Sequence, residues 1–450
     1  MDVIREPACD VPVIADVDLC VVGGSCTGVF AAVAASRQGL KAAVIEANGF
    51  FGGVATASLV SIWHSHMDTA MKKQIIGGLT IEVIDRLRKR DAVIEKRSSG
   101  PSYFILNTPE LMIELDELVK ENGIRPFLHT RFCRPVVEDG FVKAAIIEDK
   151  TGRRAIRAKM FIDASGDGDL ISRIPLPCDK LKDLQPPTTP MRVYVGKKSG
   201  QILDAVQKTV FSEEFRNRIP FGFMWGAPVC GVPGEEMIAG TRVPNADCSD
   251  ADSLTAAEIE ARRQVRAIVD IAKAKIRDCK DMALSALPAI IGVRETRHAR
   301  CLHEVTEQEV LNGTRFPDAI ANGSYRVDVH HSDKPGLTFR YLDGREEYVV
   351  PGQPKVDGRW RDKSADSPTF YQIPYRALVP QGSKNVLVAG RLVDADRGAY
   401  GAIRVMVNCN QTGEAVGTAA AIAISEGKSV ADVDANALRS MMARQGSIII

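Results

Sequence analysis

The sequence predicts an α/β fold in which a domain built on a parallel sheet is interrupted by an inserted α+β domain with a mainly antiparallel sheet. Three observations favour this fold. An apolar strand, a glycine-rich turn, a helix and a second apolar strand follow one another over residues 17–45, as in a βαβ unit. Most of the 23 prolines lie between residues 175 and 375, where a different kind of structure is expected. An apolar strand at 385–389 then precedes a glycine, so the first domain resumes.

The remaining elements follow from residue periodicity and from turn residues. The predicted helices cover 29–37, 75–90, 109–121, 255–277 and 408–425, and the predicted strands cover 17–22, 40–45, 132–137, 142–147, 155–162 and 385–389. Thr255 and Glu258 form a candidate capping box at the start of the long helix. Residues 330–370, rich in Gly, Asp, Lys and Pro, are predicted to form loops and edge strands.

Composition excludes several classes of protein. The chain has 58 Lys and Arg against 57 Asp and Glu, which argues against a nucleic-acid-binding surface. No uncharged apolar stretch is as long as a membrane-spanning helix, which needs about 20 residues. The first residues contain acids and prolines where a signal peptide would be apolar. We therefore expect a cytoplasmic protein that binds neither nucleic acid nor membrane.

The cysteines indicate neither a disulfide scaffold nor a zinc site. The chain contains ten Cys, and no two of them have the spacing C-x-x-C. Zinc ribbons and small disulfide-rich domains both depend on such regular spacings. Most of these cysteines are expected to be small buried apolar residues, and no metal site is predicted.

The turn between the first two strands matches the dinucleotide-binding pattern with one departure. It consists of Gly23, Gly24, Ser25, Cys26, Thr27 and Gly28. Glu46 ends the next strand 18 residues after Gly28, where an acid accepts hydrogen bonds from the ribose hydroxyls of an adenosine. Ser25 is the departure, because it stands in place of the second glycine and brings a Cβ towards the expected phosphate. A P-loop is excluded, since no Gly-Lys-Ser/Thr follows.

Longer stretches resemble the FAD-dependent oxidoreductase family of the glutathione-reductase-like flavoproteins. They are DVDLCVVGGSCTGVFAAVAASRQGLKAAVIE, FGGVAT, FIDASGDGD, and NVLVAGR together with GAIRVMVNCNQTGEAVGTAAAIA. The resemblance covers nearly the whole chain. It implies a Rossmann-like FAD-binding domain over 12–175 and 372–450, with a substrate domain over 176–371 inserted between the two parts.

The resemblance also implies which residues contact FAD. The adenosine end would lie at Glu46, and the flavin would lie at the start of the last small-residue helix, whose N–H groups stabilise negative charge on the ring. The residues assigned to FAD are Gly23, Gly24, Ser25, Cys26, Thr27, Gly28, Glu46, Ala47, Gly52, Gly53, Val54, Ala55, Thr56, Phe132, Cys133, Ala164, Ser165, Gly166, Asp169, Gly390, Arg391, Arg404, Val405 and Met406.

Two histidines are candidates for acid–base catalysis. His64 and His66 follow the Gly52-Gly53 segment, and in related flavoproteins this stretch runs past the isoalloxazine ring. A spacing of two places both rings on one face if the segment is a strand. A packed or surface role is the alternative reading, and a covalent histidyl-flavin bond stays open.

Two arginines are candidates for fixing charged or polar oxygens. Arg294 could clamp a substrate carboxylate or polarise a carbonyl, and an interdomain salt bridge is the alternative. Arg404 precedes the last small-residue helix and is expected near the flavin. His330 and His331 precede a loop and are expected to be solvated.

Missing motifs narrow the function further. No redox-active Cys pair is present, which argues against a disulfide reductase, and no second dinucleotide motif indicates a separate NAD(P)H domain. We predict an oxidoreductase that transfers a hydride between FAD and a small polar organic molecule, with an unidentified electron acceptor or donor. Two alternatives stay open: a flavin-binding redox subunit or sensor without its own turnover, and an NAD-dependent dehydrogenase. A homodimer is compatible with the resemblance.

Overall fold

Alternating apolar runs and glycines determine the elements of the first part of the chain. The computed structural model describes residues 2–97, 102–220, 222–351 and 353–450. The first elements are β1 (Val13–Val22), α1 (Cys26–Ser36), β2 (Ala42–Ile45), β3 (Ile62–His64), α2 (Gly78–Arg88), β4 (Val93–Lys96), β5 (Tyr103–Leu106), α3 (Thr108–Glu121), β6 (Arg125–Phe127), β7 (Arg131–Glu138), β8 (Phe141–Asp149) and β9 (Gly152–Asp163).

The main sheet has a parallel core, as the sequence predicts. β6, β2, β1 and β9 lie side by side and parallel, so their carboxyl ends share one edge. β8 pairs antiparallel with the first half of β9, and β7 follows it. Asp139 and Gly140, both at positive φ, form the tight turn between β7 and β8. Elsewhere in this part of the chain, β3, β5 and β4 form a separate antiparallel sheet.

The middle of the chain forms smaller antiparallel sheets. Its elements are β10 (Cys178–Lys180), β11 (Met191–Tyr194), α4 (Leu203–Val210), β12 (Trp225–Pro228), β13 (Glu235–Ala239), α5 (Ala251–Lys275), β14 (Ala283–Ala286), β15 (Arg297–Ala299), α6 (Glu307–Leu311), β16 (Ala319–Gly323), β17 (Val327–His330), β18 (Leu337–Arg340), β19 (Arg345–Val349), β20 (Val356–Arg359) and β21 (Tyr371–Pro374). β12, β13, β11 and β14 form one antiparallel sheet, and β17 to β20 form another.

The last part of the chain returns to the main sheet. It contains β22 (Val386–Val388), α7 (Arg397–Ile403), α8 (Met406–Glu426) and α9 (Ala435–Arg444). β22 pairs parallel with the second half of β9. α8 packs closely along α1, because a Cβ on Gly413 would lie 2.1 Å from the Thr27 carbonyl oxygen and one on Gly417 would lie 2.0 Å from that of Ala31. Among the described residues, no helix is both long and apolar enough to span a membrane.

Two local predictions are wrong. Residues 330–370 contain β18, β19 and β20 rather than loops and edge strands alone. α5 begins four residues before Thr255, with Asp250 as its cap: the Asp250 carboxylate accepts from the Ser253 N–H at 2.9 Å. Glu258 instead accepts from the Ile291 N–H at 2.7 Å, so it joins the helix to the following segment.

Candidate active site

The glycine-rich turn connects the carboxyl end of β1 to the start of α1. Gly23 has a φ of +103°, and a Cβ there would lie 2.4 Å from the Ala164 carbonyl oxygen. A Cβ on Gly28 would lie 1.9 Å from the Gly23 carbonyl oxygen. Only glycine fits these contacts. They place the N-terminus of α1 at the carboxyl edge of the main sheet, which is where a pyrophosphate binds in such folds.

Ser25 has a structural function that explains its departure from the glycine pattern. Its Oγ caps α1 by accepting from the Gly28 N–H at 3.4 Å. Ser25 also forms a β-bridge with Gly52, and a Cβ on Gly53 would lie 2.6 Å from the Ser25 Cβ. The predicted segment of Gly52, Gly53, Val54, Ala55 and Thr56 therefore packs directly against the turn.

Glu46 places a buried carboxylate beside the same turn. Its Oε2 accepts from the Gly24 N–H at 2.8 Å, and its Oε1 accepts from the backbone and side-chain N–H groups of Asn48 at 2.8 and 2.7 Å. Burial raises the pKa of Glu46, although these N–H groups oppose the increase. The carboxylate can accept from the hydroxyls of an adenosine ribose and would repel a 2′-phosphate.

The predicted adenine neighbours lie close to Glu46. The Thr130 N–H donates to the Glu46 carbonyl oxygen at 2.9 Å, which brings the start of β7 against the end of β2. Phe132 and Cys133, both in β7, are half-buried, and Ala47 is exposed. The structure thus brings the predicted adenosine-binding residues to one place.

The loop after β9 is held by an acid that we did not predict as a site residue. The Asp163 Oδ1 accepts from the Ser165 N–H at 3.1 Å and from its hydroxyl at 2.6 Å. The Oδ2 accepts from the Leu170 and Ile171 N–H groups at 3.0 and 2.9 Å. Burial raises the pKa of Asp163 to about 6. Asp163 therefore fixes the loop that contains Ala164, Ser165 and Gly166.

A half-buried ion pair joins this loop to the segment after β22. Arg391 Nη2 donates to Asp167 Oδ1 at 2.9 Å, and the same oxygen accepts from the Thr296 hydroxyl at 2.8 Å. Asp169, predicted to contact FAD, is half-buried and lies 3.7 Å from Arg173. The segment with Gly390 and Arg391 therefore lies next to the loop that contains Gly166. Asp169, in the same loop, is close to Arg173.

The features around the turn and α8 fit FAD. Val405 precedes α8 and supplies no side-chain cap, so the N–H of Met406 and its neighbours have no side-chain acceptor there. The helix begins two residues before its predicted start at Asn408. Within the described part of the chain, Arg391 Nη1 is buried without a hydrogen-bond partner. An uncapped helix N-terminus and a guanidinium nitrogen without an acceptor suit an anionic flavin edge and phosphates.

Two arginines from separate segments lie within electrostatic range of Arg294. Arg294 precedes β15, Arg404 follows α7, and Arg242 follows β13. Burial, and then the positive charges of Arg404 and Arg242, lower the pKa of Arg294 to about 9. We call these three residues, together with Gln185 and Asp328, the arginine cluster.

Arg294 is held by the segment before β11, which in turn lies near the residues that follow Thr56. The Arg294 Nη1 donates to the Pro186 carbonyl oxygen and to the Thr188 hydroxyl, the latter at 2.6 Å. Thr188 pairs with Gly292, and the Ser58 hydroxyl donates to the Ile291 carbonyl oxygen at 3.3 Å. Arg294 therefore lies close to the segment that packs on the glycine turn.

A chain of hydrogen bonds and close contacts links Asp328 to Tyr325, His330 and Arg242. The Tyr325 hydroxyl donates to Asp328 Oδ2 at 3.1 Å, and Asp328 Oδ1 lies 3.3 Å from His330 Nε2. Arg242 Nη2 donates to His330 Nδ1 at 2.7 Å. Burial raises the pKa of Asp328, but the nearby His330, Arg404 and Arg326 outweigh it, so the pKa is lowered overall. Asp328 is therefore a carboxylate at neutral pH.

His330 is buried, so the prediction of a solvated loop histidine is wrong for this residue. Because arginine has only donors, Nδ1 must be the acceptor and Nε2 carries the proton towards Asp328. Burial, and then Arg294, lower the pKa of His330 to about 3. Nδ1 is thus occupied by Arg242 and Nε2 already carries a proton, so His330 has no nitrogen left to accept a substrate proton.

His64 differs from His330 because neither of its ring nitrogens has a hydrogen-bond partner in the described part of the chain. Its ring lies edge-on against Tyr325 at a centroid distance of 4.4 Å. No hydrogen-bond partner of its ring is found among the residues that the structure describes. Burial and the positive charge of Arg326 lower the pKa of His64 to about 4, while Asp328 raises it. His64 is therefore a neutral imidazole beside the arginine cluster.

His66 lies in a different environment. β3 ends at His64, so the two histidines do not share a strand face as the spacing predicts. His66 Nε2 lies 3.2 Å from Glu95 Oε1, Nδ1 lies 3.2 Å from the Ser102 hydroxyl, and the ring stacks on Phe104. Both ring nitrogens are occupied by these contacts, and the structure does not bring His66 to the arginine cluster.

Sequence reasoning missed Arg242, Gln185, Tyr325 and Asp328. One signal was available in β17, where Val327 and Val329 alternate with Asp328 and His330. Alternation places the two polar residues on one face, and all four residues are buried. A strand that buries its polar face as well as its apolar one indicates a polar site.

Comparison with protein families gives one match over most of the chain. The family model described as FAD dependent oxidoreductase matches residues 18–442. A comparison with curated proteins found no significant match.

Solved structures with a similar fold are distant in sequence. A geranylgeranyl bacteriochlorophyll reductase-like protein from Thermoplasma acidophilum is 12% identical, with a TM-score of 0.47 over 96% of this chain and 82% of that chain. The p-nitrophenol 4-monooxygenase of Pseudomonas putida is 11% identical, with a TM-score of 0.47 over 96% of this chain and 89% of that one. Such low values describe the fold only and carry no argument about the substrate.

Proposed function

The chain belongs to the FAD-dependent oxidoreductase family, and from this premise we propose that it exchanges a hydride between its FAD and a small polar organic substrate. FAD, when bound, supplies the two-electron chemistry. The observation that carries the proposal is the imidazole of His64, which has no hydrogen-bond partner among the described residues and lies beside the arginine cluster near the uncapped start of α8. The assignment to the glutathione-reductase-like flavoproteins, which the sequence motifs imply, is part of this proposal.

His64 is the proposed acid–base residue. Oxidation of a C–H next to a hydroxyl or amine removes two electrons with the hydrogen and leaves one proton on the heteroatom, and a base must take that proton. His64 is neutral at neutral pH because its pKa is lowered to about 4, so it can accept. Of the other two histidines, His66 has both ring nitrogens in polar contacts, and His330 accepts from Arg242 at Nδ1 and carries its proton on Nε2.

Tyr325 and Asp328 are the proposed positioning residues for His64. The Tyr325 ring contacts the imidazole edge, and its hydroxyl is held by Asp328 at 3.1 Å. Burial raises the pKa of Tyr325 above its usual value, so the hydroxyl stays protonated and keeps donating to Asp328. This fixes the ring against which His64 packs.

The test is anaerobic reduction of the flavin, followed by absorbance, with a panel of small hydroxy and amino metabolites. We expect at least one to reduce the wild-type flavin. His64→Ala should retain FAD and slow that reduction by about 10²–10⁴, the usual effect of losing a general base.

His66→Ala is the matched control, since it removes a histidine two residues away that has no contact with the cluster. It should reduce at nearly the wild-type rate. Equal rates of flavin reduction in His64→Ala and wild type would show that His64 is not the proton acceptor. A flavin that no panel member reduces would contradict the proposed reaction and favour a redox subunit or sensor.

A further inference from the structure

Arg294 and Arg404 carry more positive charge than the acid beside them neutralises. They provide two positive charges, and the carboxylate of Asp328 lies 3.7 Å from Arg404. Glu295 is also buried nearby, but its carboxylate accepts from the Gln185 N–H at 2.9 Å and contacts His298 at 3.1 Å. Crowded like charges are costly in a buried site unless an anion compensates them.

Donor groups in the cluster also lack acceptors. Arg404 Nε and Gln185 Nε2 are buried without a hydrogen-bond partner among the described residues, and Gln185 is completely buried. The one hydrogen bond of the Arg404 guanidinium within this set, to Gln185 Oε1, is long at 3.4 Å. Of the Arg294 guanidinium, only Nη1 donates to described residues. Unpaired buried donors are rare, and each one implies a missing acceptor.

Apart from the amide nitrogen of Gln185, the donors belong to the two planar guanidinium groups of Arg294 and Arg404. A guanidinium presents parallel N–H groups that match the two oxygens of a carboxylate. A carbonyl oxygen of a neutral substrate would satisfy fewer of these donors and would leave the excess charge uncompensated.

From the unpaired donors of Arg294, Arg404 and Gln185 we infer that the substrate is a small organic acid whose carboxylate binds between the two arginines. This inference rests on the proposed function, because it identifies the substrate class of the same site. Arg294 and Arg404 are then substrate-binding residues, and Gln185 supplies a further donor from its side-chain amide.

Bound carboxylate also changes the environment of His64. Arg326 and Arg404 both lower the pKa of His64, in addition to burial. A substrate anion beside Arg404 opposes this effect and raises the pKa towards the working pH, where a base is most effective. Binding of the substrate would therefore make His64 a stronger base.

The test measures binding of anions that cannot be oxidised at carbon in this reaction. Acetate and oxalate are titrated into the FAD-loaded protein at constant ionic strength, with acetamide and oxamide as neutral counterparts of similar shape. Binding is followed by the change in flavin absorbance and by the rise in Tm. We expect saturable binding of both acids and none of the amides. Amides that bind as tightly as the acids would overturn the inference.

Variants locate the binding site. Arg294→Gln and Arg404→Gln should each weaken acid binding by about 10- to 100-fold, the effect of losing a charge-assisted hydrogen bond. Arg294→Lys keeps the charge but loses the planar pair of donors, so it should bind acids less tightly than wild type and more tightly than Arg294→Gln. Because Arg294 also contacts Pro186 and Thr188, FAD content is measured first, and Arg404→Gln carries the test if Arg294→Gln fails to fold.

Arg263→Gln is the matched control, because Arg263 is exposed and pairs with Glu260 on α5. It should bind acids like wild type. Wild-type affinity in both Arg404→Gln and a folded Arg294 variant would overturn the inference.

The outcome is separable from that of the proposed function, since acetate binding requires no electron transfer. Arginine-dependent binding without flavin reduction by any metabolite would contradict only the reaction. Reduction by neutral metabolites without acid binding would contradict only the substrate class.

Discussion

Glu46 shows how one side chain organises the nucleotide end of the site. Its two oxygens accept hydrogen bonds from three N–H groups of Gly24 and Asn48. A donor group in place of either oxygen would therefore face at least one of these N–H groups. In Glu46→Gln, the amide nitrogen must face one of these donors. We expect FAD affinity to fall by about 10- to 100-fold, the scale of a lost charge-assisted hydrogen bond.

Titration of the apo form with FAD, followed by flavin fluorescence, measures this effect. Glu260→Gln is the control, because Glu260 is part of an exposed pair with Arg263 on α5. An affinity equal to that of wild type in Glu46→Gln would mean that the adenosine does not depend on this carboxylate.

At the residue scale, the sequence predicted the geometry of the glycine turn better than it distinguished between the two histidines. The glycine turn and Glu46 follow from local spacing, because their contacts arise within one βαβ unit. The choice between His64 and His66 depends on partners far along the chain, Tyr325 for one and Glu95 and Ser102 for the other. No local pattern contains that information.

At the element scale, the packing of α8 against α1 depends on glycine. Alanine is normally favoured over glycine in a helix by about 1 kcal/mol. In Gly417→Ala, however, the new Cβ would lie 2.0 Å from the Ala31 carbonyl oxygen, which belongs to backbone and cannot rotate away. We expect a net loss of about 1–3 kcal/mol, the range for overpacking, seen as a lower Tm.

Ser425→Ala serves as the control for this substitution, since Ser425 is exposed near the end of the same helix. Its Tm should stay close to that of wild type. A Tm for Gly417→Ala at or above the wild-type value would show that the helices separate at little cost.

Elements with strong local sequence signals were predicted well. A strand whose side chains are all exposed lacks the apolar alternation that would identify it. Pro109 and the Asp139-Gly140 turn mark α3 and the β7–β8 hairpin correctly. β20 is exposed along its length, so its residues carry no apolar alternation that would identify a strand. Thr255 and Glu258 match a capping box by spacing, but Asp250 caps the helix first.

At the scale of the whole molecule, the site is made of segments that only the fold brings together. Arg242, Arg294, Asp328 and Arg404 are spread over more than a third of the chain. The residues that the resemblance to a flavoprotein family assigns to FAD lie in continuous motifs, which are visible in the sequence itself. The arginine cluster has no such motif, which is why only two of its arginines were singled out.

Glu414 connects three distant parts of the molecule. It lies on α8, its Oε2 accepts from the Leu79 N–H at the start of α2 at 3.1 Å, and the Ser447 hydroxyl lies 3.2 Å away near the end of the chain. Its Oε1 is buried without a partner among the described residues. Burial raises the pKa of Glu414 from 4.5 to about 7, so the folded protein holds a proton that the unfolded chain releases.

Stability should therefore depend on the ionisation of Glu414. Between pH 4.5 and about 7 the folded state binds more protons than the unfolded state, so this group's contribution to stability falls as the pH rises. Above that range, the buried charge of Glu414 lowers the free energy of unfolding by on the order of 3 kcal/mol.

In Glu414→Gln the amide oxygen can still accept from Leu79, but no charge is buried. The Tm of this variant relative to wild type should rise steadily from pH 5 to pH 8, while Glu426→Gln, at the exposed end of the same helix, should show no such trend. A difference in Tm between Glu414→Gln and wild type that stays constant over this range would mean that Glu414 is already ionised in the folded protein at pH 5.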